Sequence, residues 1–322
     1  MRSIRFFFII SLMLLYGNIC SVFSEAPATA KIVFSSFRDG NTEIYLMNPD
    51  GSEQVNLTHA PSDDFFPVWS PTGEQILFAS DRIRVHDLYL MDPDGANVRR
   101  VFRKVAHREH PTWSPDGKRI AYERVEFDER WIYIANIDGT NEERIILGRY
   151  PAWSPDGTEI AFFTGLAGHT RIWLFNLRTR RQKSLLPDDA IQWMWYPAWS
   201  PSGAKLAFAW LNHFPFIGFV ERQTIYIVNR DGTGIEQIVD EAGPRANEPA
   251  WSPSGDMLLY SQRLENNRSQ IFKIALAGGE PVQLTHIHWN YGGDWFDPAY
   301  VLPVSPQPQL LTTVWGEMKK GN

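Results

Sequence analysis

The side chains with most chemistry to offer sit in short clusters ahead of recurring tryptophans. Asp64 and Phe65, Glu109 and His110, Arg149 and Tyr150, Trp195 and Tyr196, Asn247 and Glu248, and Asn290 and Tyr291 each lie a few residues before a Trp. Rings beside single charges suit recognition, because the rings supply contact area and the charges orient what is bound. Asp64, Glu109, His110, Arg149, Tyr150, Trp195, Tyr196, Glu248 and Tyr291 are therefore the candidate residues for a ligand or partner. Histidines offer a second chemistry. His286 and His288 alternate, as two ligands on one side of a strand would, and His107 and His110 flank a loop. A divalent ion needs three or more converging ligands, which spacing alone does not supply. His59 and His286 also follow the same Leu-Thr pair, as ordinary repeat positions do. The expectation is no metal and no other cofactor. No G-x-S-x-G nucleophile motif occurs, and no catalytic residue is assigned.

The elements that must hold these clusters are written in a repeat. Trp-Ser-Pro recurs at Trp69, Trp113, Trp153, Trp199 and Trp251, separated by 44, 40, 46 and 52 residues, and a degenerate copy around Trp295 follows 44 residues later. A Pro stands two positions before each intact Trp, and a Ser-Pro-x-Gly ends at Gly73, Gly117, Gly157, Gly203 and Gly255. That tetrapeptide makes a hairpin turn: Pro presets φ, and Gly supplies the positive φ at its end. Apolar strands follow, such as Gln75–Ser80 and Glu159–Phe163. A third set comes next, such as Asp87–Met91 and Thr224–Val228, running into Asn/Asp-x-Asp-Gly turns in four of the repeats. A short fourth strand closes each unit. Four strands in roughly 45 residues is the period of a propeller blade. Near-continuous hydrophobicity in the middle strands suits sheets covered on both faces.

This repeat, PxWSPDGxxIAF followed by IYxxNxDG, resembles that of the TolB-like β-propeller family over residues 31–304. The resemblance implies an all-β, six-bladed propeller of four-stranded blades. The chain enters at Lys31–Ser35, a second-strand equivalent, and ends with an extra Trp strand near Trp295. That last strand is expected to complete the first blade and close the ring. Turns after the first and third strands share one face, and the longer loops after the second and fourth share the other. Function on rigid scaffolds concentrates on loops, so the long-loop face and the channel mouth are the expected binding surface. The resemblance implies a non-catalytic scaffold for a protein or peptide. Oligogalacturonide lyases carry similar repeats, which makes a metal-dependent, carbohydrate-active propeller the alternative, with Arg82, Arg149 and Arg245 as charge for an acidic sugar.

The termini and the composition add the setting. Arg2 and Arg5 precede an apolar run from Phe6 to Tyr16 and then small residues, the pattern of a cleavable signal peptide at 1–24, with cleavage expected after Ser24. A spacer at 25–30 and a tail at 305–322 flank the propeller. The expected location is periplasmic or secreted, with no membrane span in the mature chain. Cys20, the sole cysteine, lies in the leader, so no disulfide is expected. Loss of Arg2 and Arg5 takes the net charge from −6 to −8, which disfavours nucleic acid as a partner. A monomer is expected.

Overall fold

The computed structural model describes residues 25–165, 170–187, 193–211, 223–264 and 267–301. The expected leader, the tail and the long loop at 212–222 lie outside the described residues. Within them the chain forms six antiparallel sheets of four strands each. Blade 1 comprises Trp289–Phe296, Lys31–Phe37, Glu43–Met47 and Val55–Asn56, in that spatial order. Blade 2 runs Asp64–Trp69, Ile76–Ser80, Asp87–Met91 and Arg99–Arg100. Blades 3 to 6 repeat this order, starting from inner strands Arg108–Trp113, Arg149–Trp153, Met194–Trp199 and Ala246–Trp251. Consecutive Trp strands touch around the ring, and the strand ending at Phe296 meets both its neighbours. The Trp strands therefore form the innermost layer.

Closure follows the expected route. The last strand pairs antiparallel with the first, Lys31 opposite Phe296 and Ile32 opposite Trp295. The middle strands are buried on both faces, as in Ile76–Ser80 and Asp87–Met91, so each blade's core is also the seam with its neighbours. The repeat tryptophans wedge into those seams. Trp199 and Trp251 donate their indole N–H to the carbonyls of Ala152 and Ala198 in the preceding blades, both at 3.1 Å. Hence Trp199 and Trp251 are placed by a neighbouring backbone as well as by apolar packing, whereas the buried indole N–H groups of Trp69, Trp153 and Trp295 have no hydrogen-bond partner among the described residues and rest on packing alone.

The turns behave as their residues dictate. In each Ser-Pro-x-Gly turn the Ser hydroxyl accepts the amide five residues on, for example Glu159 to Ser154 at 2.9 Å. The second-turn glycines meet a stricter demand. Gly95 has φ +84°, and a Cβ there would sit 2.4 Å from the Leu57 carbonyl oxygen of blade 1. Gly40 has φ +102° with open space around it. Gly95→Ala is expected to cost about 2–4 kcal/mol, from left-handed strain plus the clash, and Gly40→Ala only about 1. Denaturant unfolding of the two variants measures the difference, and equal costs would mean that the blade seam does not hold Gly95.

Candidate functional site

Every inner strand carries the same irregularity three residues before its Trp. In blade 3, Glu109 pairs with Glu123 and Thr112 with Ala121, so two residues oppose one between them. The same bulge recurs in the other five blades. Its residues are Phe66, His110, Tyr150, Tyr196, Glu248 and Gly292, all with φ between 50° and 62°. A Pro follows each of the first five and keeps the preceding residue out of the right-handed helical region. Left-handed backbone at five residues other than glycine costs about 1–3 kcal/mol each, so something must hold it.

What holds it is contact across the axis. The Phe66 ring lies 4.0 Å from His110, His110 lies 3.6 Å from Tyr150, and Tyr150 meets Tyr196 edge-on at 4.6 Å. Glu248 accepts from the Ser261 hydroxyl at 3.0 Å and from the Gly292 amide at 2.9 Å. Burial raises the Glu248 carboxyl above its ordinary range and, with Glu248 nearby, pushes the Tyr196 phenol up to about 12. These side chains plug the axial channel.

One sector of the plug continues into a cluster of imidazoles and carboxylates. Glu109 Oε1 is hydrogen-bonded to His107 Nε2 and to His86 Nδ1, the latter at 2.9 Å. Its other oxygen faces His110 Nδ1 at 3.7 Å, and His110 Nδ1 lies 3.2 Å from Glu123 Oε2. Arg130 pairs with Glu123 and approaches Glu109 at 3.8 Å. His110 is only 8% exposed, yet neither ring nitrogen makes a well-formed hydrogen bond. Burial alone would raise the Glu109 carboxyl, but the bonds from His107 and His86 outweigh it and hold it well below the usual carboxylate range. Glu123 is also held low, with His110 and Arg130 overcoming its burial.

The structure distributes the sequence-derived candidates unevenly. Glu109, His110, Tyr150, Tyr196 and Glu248 come together at the plug and its flank. Asp64 is fully buried and paired with Arg82 at 2.8 Å. Tyr291 is half-buried, its hydroxyl 3.4 Å from that of Thr42. Arg149 is exposed and Trp195 half-buried on the long-loop side. His286 and His288 are both exposed and join neither group of convergent ligands among the described residues. Sequence reading placed Phe65 and Tyr291 where the ring holds Phe66 and Gly292. Counting back three from each Trp finds the correct pair. It also missed His86 and Glu123, although the strand register that sets Glu123 opposite Glu109 follows from the hairpin turn and one bulge.

Beyond the plug, a cavity of about 980 Å³ opens on the tight-turn face, lined by the repeat prolines and tryptophans with Tyr300 and Val301 at its rim. Sequence reading had left that face without a role. Asp294 lies half-buried in its wall. Its carboxylate accepts the Trp69 amide at 2.7 Å and the Trp295 amide at 3.0 Å, tying the last strand to blade 2. Burial pushes this carboxyl up to about 6 despite those bonds.

The strand order and the plugged axis define a six-bladed β-propeller with a single closed ring. The sequence profile of the TolB beta propeller domain matches residues 15–149, 84–209 and 128–301 in overlapping stretches, and the chain belongs to that family. TolB from Acinetobacter baumannii superposes with a TM-score of 0.70 at 18% identity, over 83% of this chain and 66% of that one. The chain thus spans just under two thirds of that TolB's length. The putative TolB from Agrobacterium tumefaciens gives 0.64 at 21% identity, over 82% of this chain and 91% of that one. An oligogalacturonate lyase in complex with manganese gives 0.51 at 16% identity, over 82% and 75%. At such identities the likeness is one of fold. No curated protein matches the sequence.

The raised Asp294 carboxyl sets a pH dependence. The folded state favours its protonated form, so its contribution to stability is fully present below about pH 4 and is lost as pH rises through about 6. Asp294→Asn cannot ionise. Its destabilisation relative to the parent should be larger at pH 4.5 than at 7.5 by about 1–2 kcal/mol, half the unscreened shift, because water in the cavity reaches the group. Urea unfolding at both pH values checks this, and a constant gap would contradict it.

Proposed function

We propose that the chain is an exported, non-catalytic scaffold that binds a protein or peptide through the long-loop face and the channel mouth. The observation that carries this reading is where large apolar side chains are left in solvent. Phe37, Val105, Phe127, Leu147, Ile287 and Trp289 are all exposed at the long-loop ends of their blades, and Phe127 at a hairpin tip is 99% exposed. Large apolar side chains gathered at the loop ends of one face suit a partner rather than solvent. Phe37 and Trp289 are paired across the closing ladder, so part of the patch stands on the ring's own closure.

Polar groups beside the patch supply orientation. A shallow pocket of about 320 Å³ is lined by Arg245, Asn247, Arg263, Asn267, Ser269 and Trp289. Guanidinium groups next to an indole suit a carboxylate-bearing segment with an apolar neighbour. Arg149 adds a further cation on the opposite side of the mouth. Periplasmic or secreted placement rests on the leader pattern at 1–24, and among the described residues no helix is long and apolar enough to cross a membrane. The plugged axis favours a partner that sits on the face over one that threads the ring. An acidic oligosaccharide is the second reading, since the same pocket chemistry takes a sugar carboxylate.

The test uses a partner purified from the native envelope and its dissociation constant for the mature chain. Phe127→Ser and Trp289→Ala should each weaken binding at least tenfold with Tm unchanged. Val282→Ser, an exposed change on the outer strand of blade 6, should leave it intact. Equal affinity in all three variants would remove the face assignment. Competition by oligogalacturonide would favour the sugar reading.

A further inference from the structure

The cluster at the junction of blades 2 and 3 has a geometry that the binding reading does not use. Three nitrogen and oxygen atoms, His86 Nδ1, His107 Nε2 and a Glu109 carboxylate oxygen, lie within 4.8 Å of one another. They come from separate stretches: the end of the loop before Asp87–Met91, the approach to the inner strand of blade 3, and that strand itself. Both imidazoles aim at the same carboxylate oxygen, and their rings stand at 69° with centroids 5.1 Å apart. We propose that His86, His107 and Glu109 form a binding site for a divalent transition-metal ion, open on the long-loop face.

Donor type, spacing, charge and access all support this site. Two imidazoles and a carboxylate are the borderline donor set that suits Zn²⁺, and also Mn²⁺ and neighbouring ions. Ligand atoms around a tetrahedral ion at about 2.1 Å stand roughly 3.4 Å apart. The three here lie on that scale, all within 4.8 Å of one another. With its imidazoles deprotonated, as metal ligation requires, the cluster carries Glu109 and Glu123 against Arg130, a net charge of −1. A cation is favoured there electrostatically. His86 and His107 are each about a third exposed, which leaves a fourth position for water or a ligand's oxygen.

The buried side of the cluster supplies what a metal ligand needs behind it. Glu109's second oxygen faces His110, and His110, Glu123 and Arg130 hold it from the interior. A ligating carboxylate fixed in this way keeps its orientation when the ion binds or leaves. His110 itself is pinned between Phe66 and Tyr150 at the bulge. The same distortion that plugs the axis therefore places Glu109, its immediate neighbour, at the rim.

This inference does not depend on the identity of a partner, so it stands or falls separately from the scaffold reading. The mature chain, free of any histidine tag, is stripped with chelator and titrated with Zn²⁺ and Mn²⁺ by calorimetry. Co²⁺ absorption serves as a ligand-field readout. One ion per chain with micromolar or tighter affinity, and a rise in Tm on binding, are expected. His107→Ala and Glu109→Gln should each weaken binding at least tenfold, while His286→Ala with His288→Ala should leave it unchanged. His107 is the control for folding, since it is partly exposed and its variant should keep the metal-free Tm of the parent. Absence of stoichiometric binding, or affinity unchanged in His107→Ala, would overturn the site. So would loss of binding in the His286/His288 double variant.

Discussion

Six blades close into a ring only because a strand from the far end of the propeller pairs with the first. The ladder between Trp289–Phe296 and Lys31–Phe37 makes blade 1 whole. Without it the blade-1 strands and the inner strand of blade 2 lose the layer on which they pack. Each blade buries its middle strands against neighbours and has little core of its own, so the closing ladder determines whether the interior is dry throughout. Phe296 packs on Trp69 at 5.4 Å, and Asp294 reaches the Trp69 amide, so the seam carries both an apolar contact and a hydrogen-bonded one. Entropy makes such a long-range closure slow to form. The repeat around it supplies local hairpins that can fold before the ends meet.

Closure also explains why the axis is filled. Six inner strands leave an axial channel that is filled at the level of the bulges and open as a cavity of about 980 Å³ on the tight-turn face. A bulge in each strand turns one residue inward, and the strain of a left-handed backbone is offset by ring contacts among Phe66, His110, Tyr150 and Tyr196. The backbone solution is the same six times, but the side chains are not. Aromatic residues occupy consecutive blades, and Glu248 with Gly292 occupies the remainder, joined by a hydrogen bond. A nearly six-fold frame thus presents a strongly one-sided chemistry.

Legibility in the sequence followed from how local each signal is. Trp, Pro and Gly act within one hairpin, so blade number, strand order, turn sidedness and ring closure could be read from their spacing. The position of each inner-strand bulge was less plain, because it shows only in the pairing register; in blades 2 and 1 the clusters read from the sequence stop one residue short of Phe66 and Gly292. His86 and Glu123 belong to segments 23 and 14 residues from Glu109 and obey no repeat. Their meeting depends on the register of one strand pair and the path of one loop, neither of which periodicity encodes. The cavity on the tight-turn face was hidden for a related reason. Each Ser-Pro-x-Gly turn is unremarkable alone, and the space arises only when five of them and the Pro298–Tyr300 turn surround an axis.

The parts of this chain that depart from its repeat are also the parts where ionisable groups crowd together. Where the repeat is regular, the turn residues are satisfied locally: Ser154 by Asp156 and the Glu159 amide, Asn136 by Thr140. Around His110 that economy fails, and a buried imidazole stands between carboxylates with no well-formed hydrogen bond. The other five blades carry Phe, Tyr, a hydrogen-bonded Glu or Gly at this position, whereas His110 rests on its close approach to Glu123 and Glu109. Packing cannot account for that choice, since Phe66 and Tyr150 show that a ring without ionisable nitrogens fits the same backbone. The histidine's neighbours are the groups whose ligand atoms converge toward solvent. The one-sided chemistry of the axis thus lies where the side chains, and not the backbone, break the six-fold repeat.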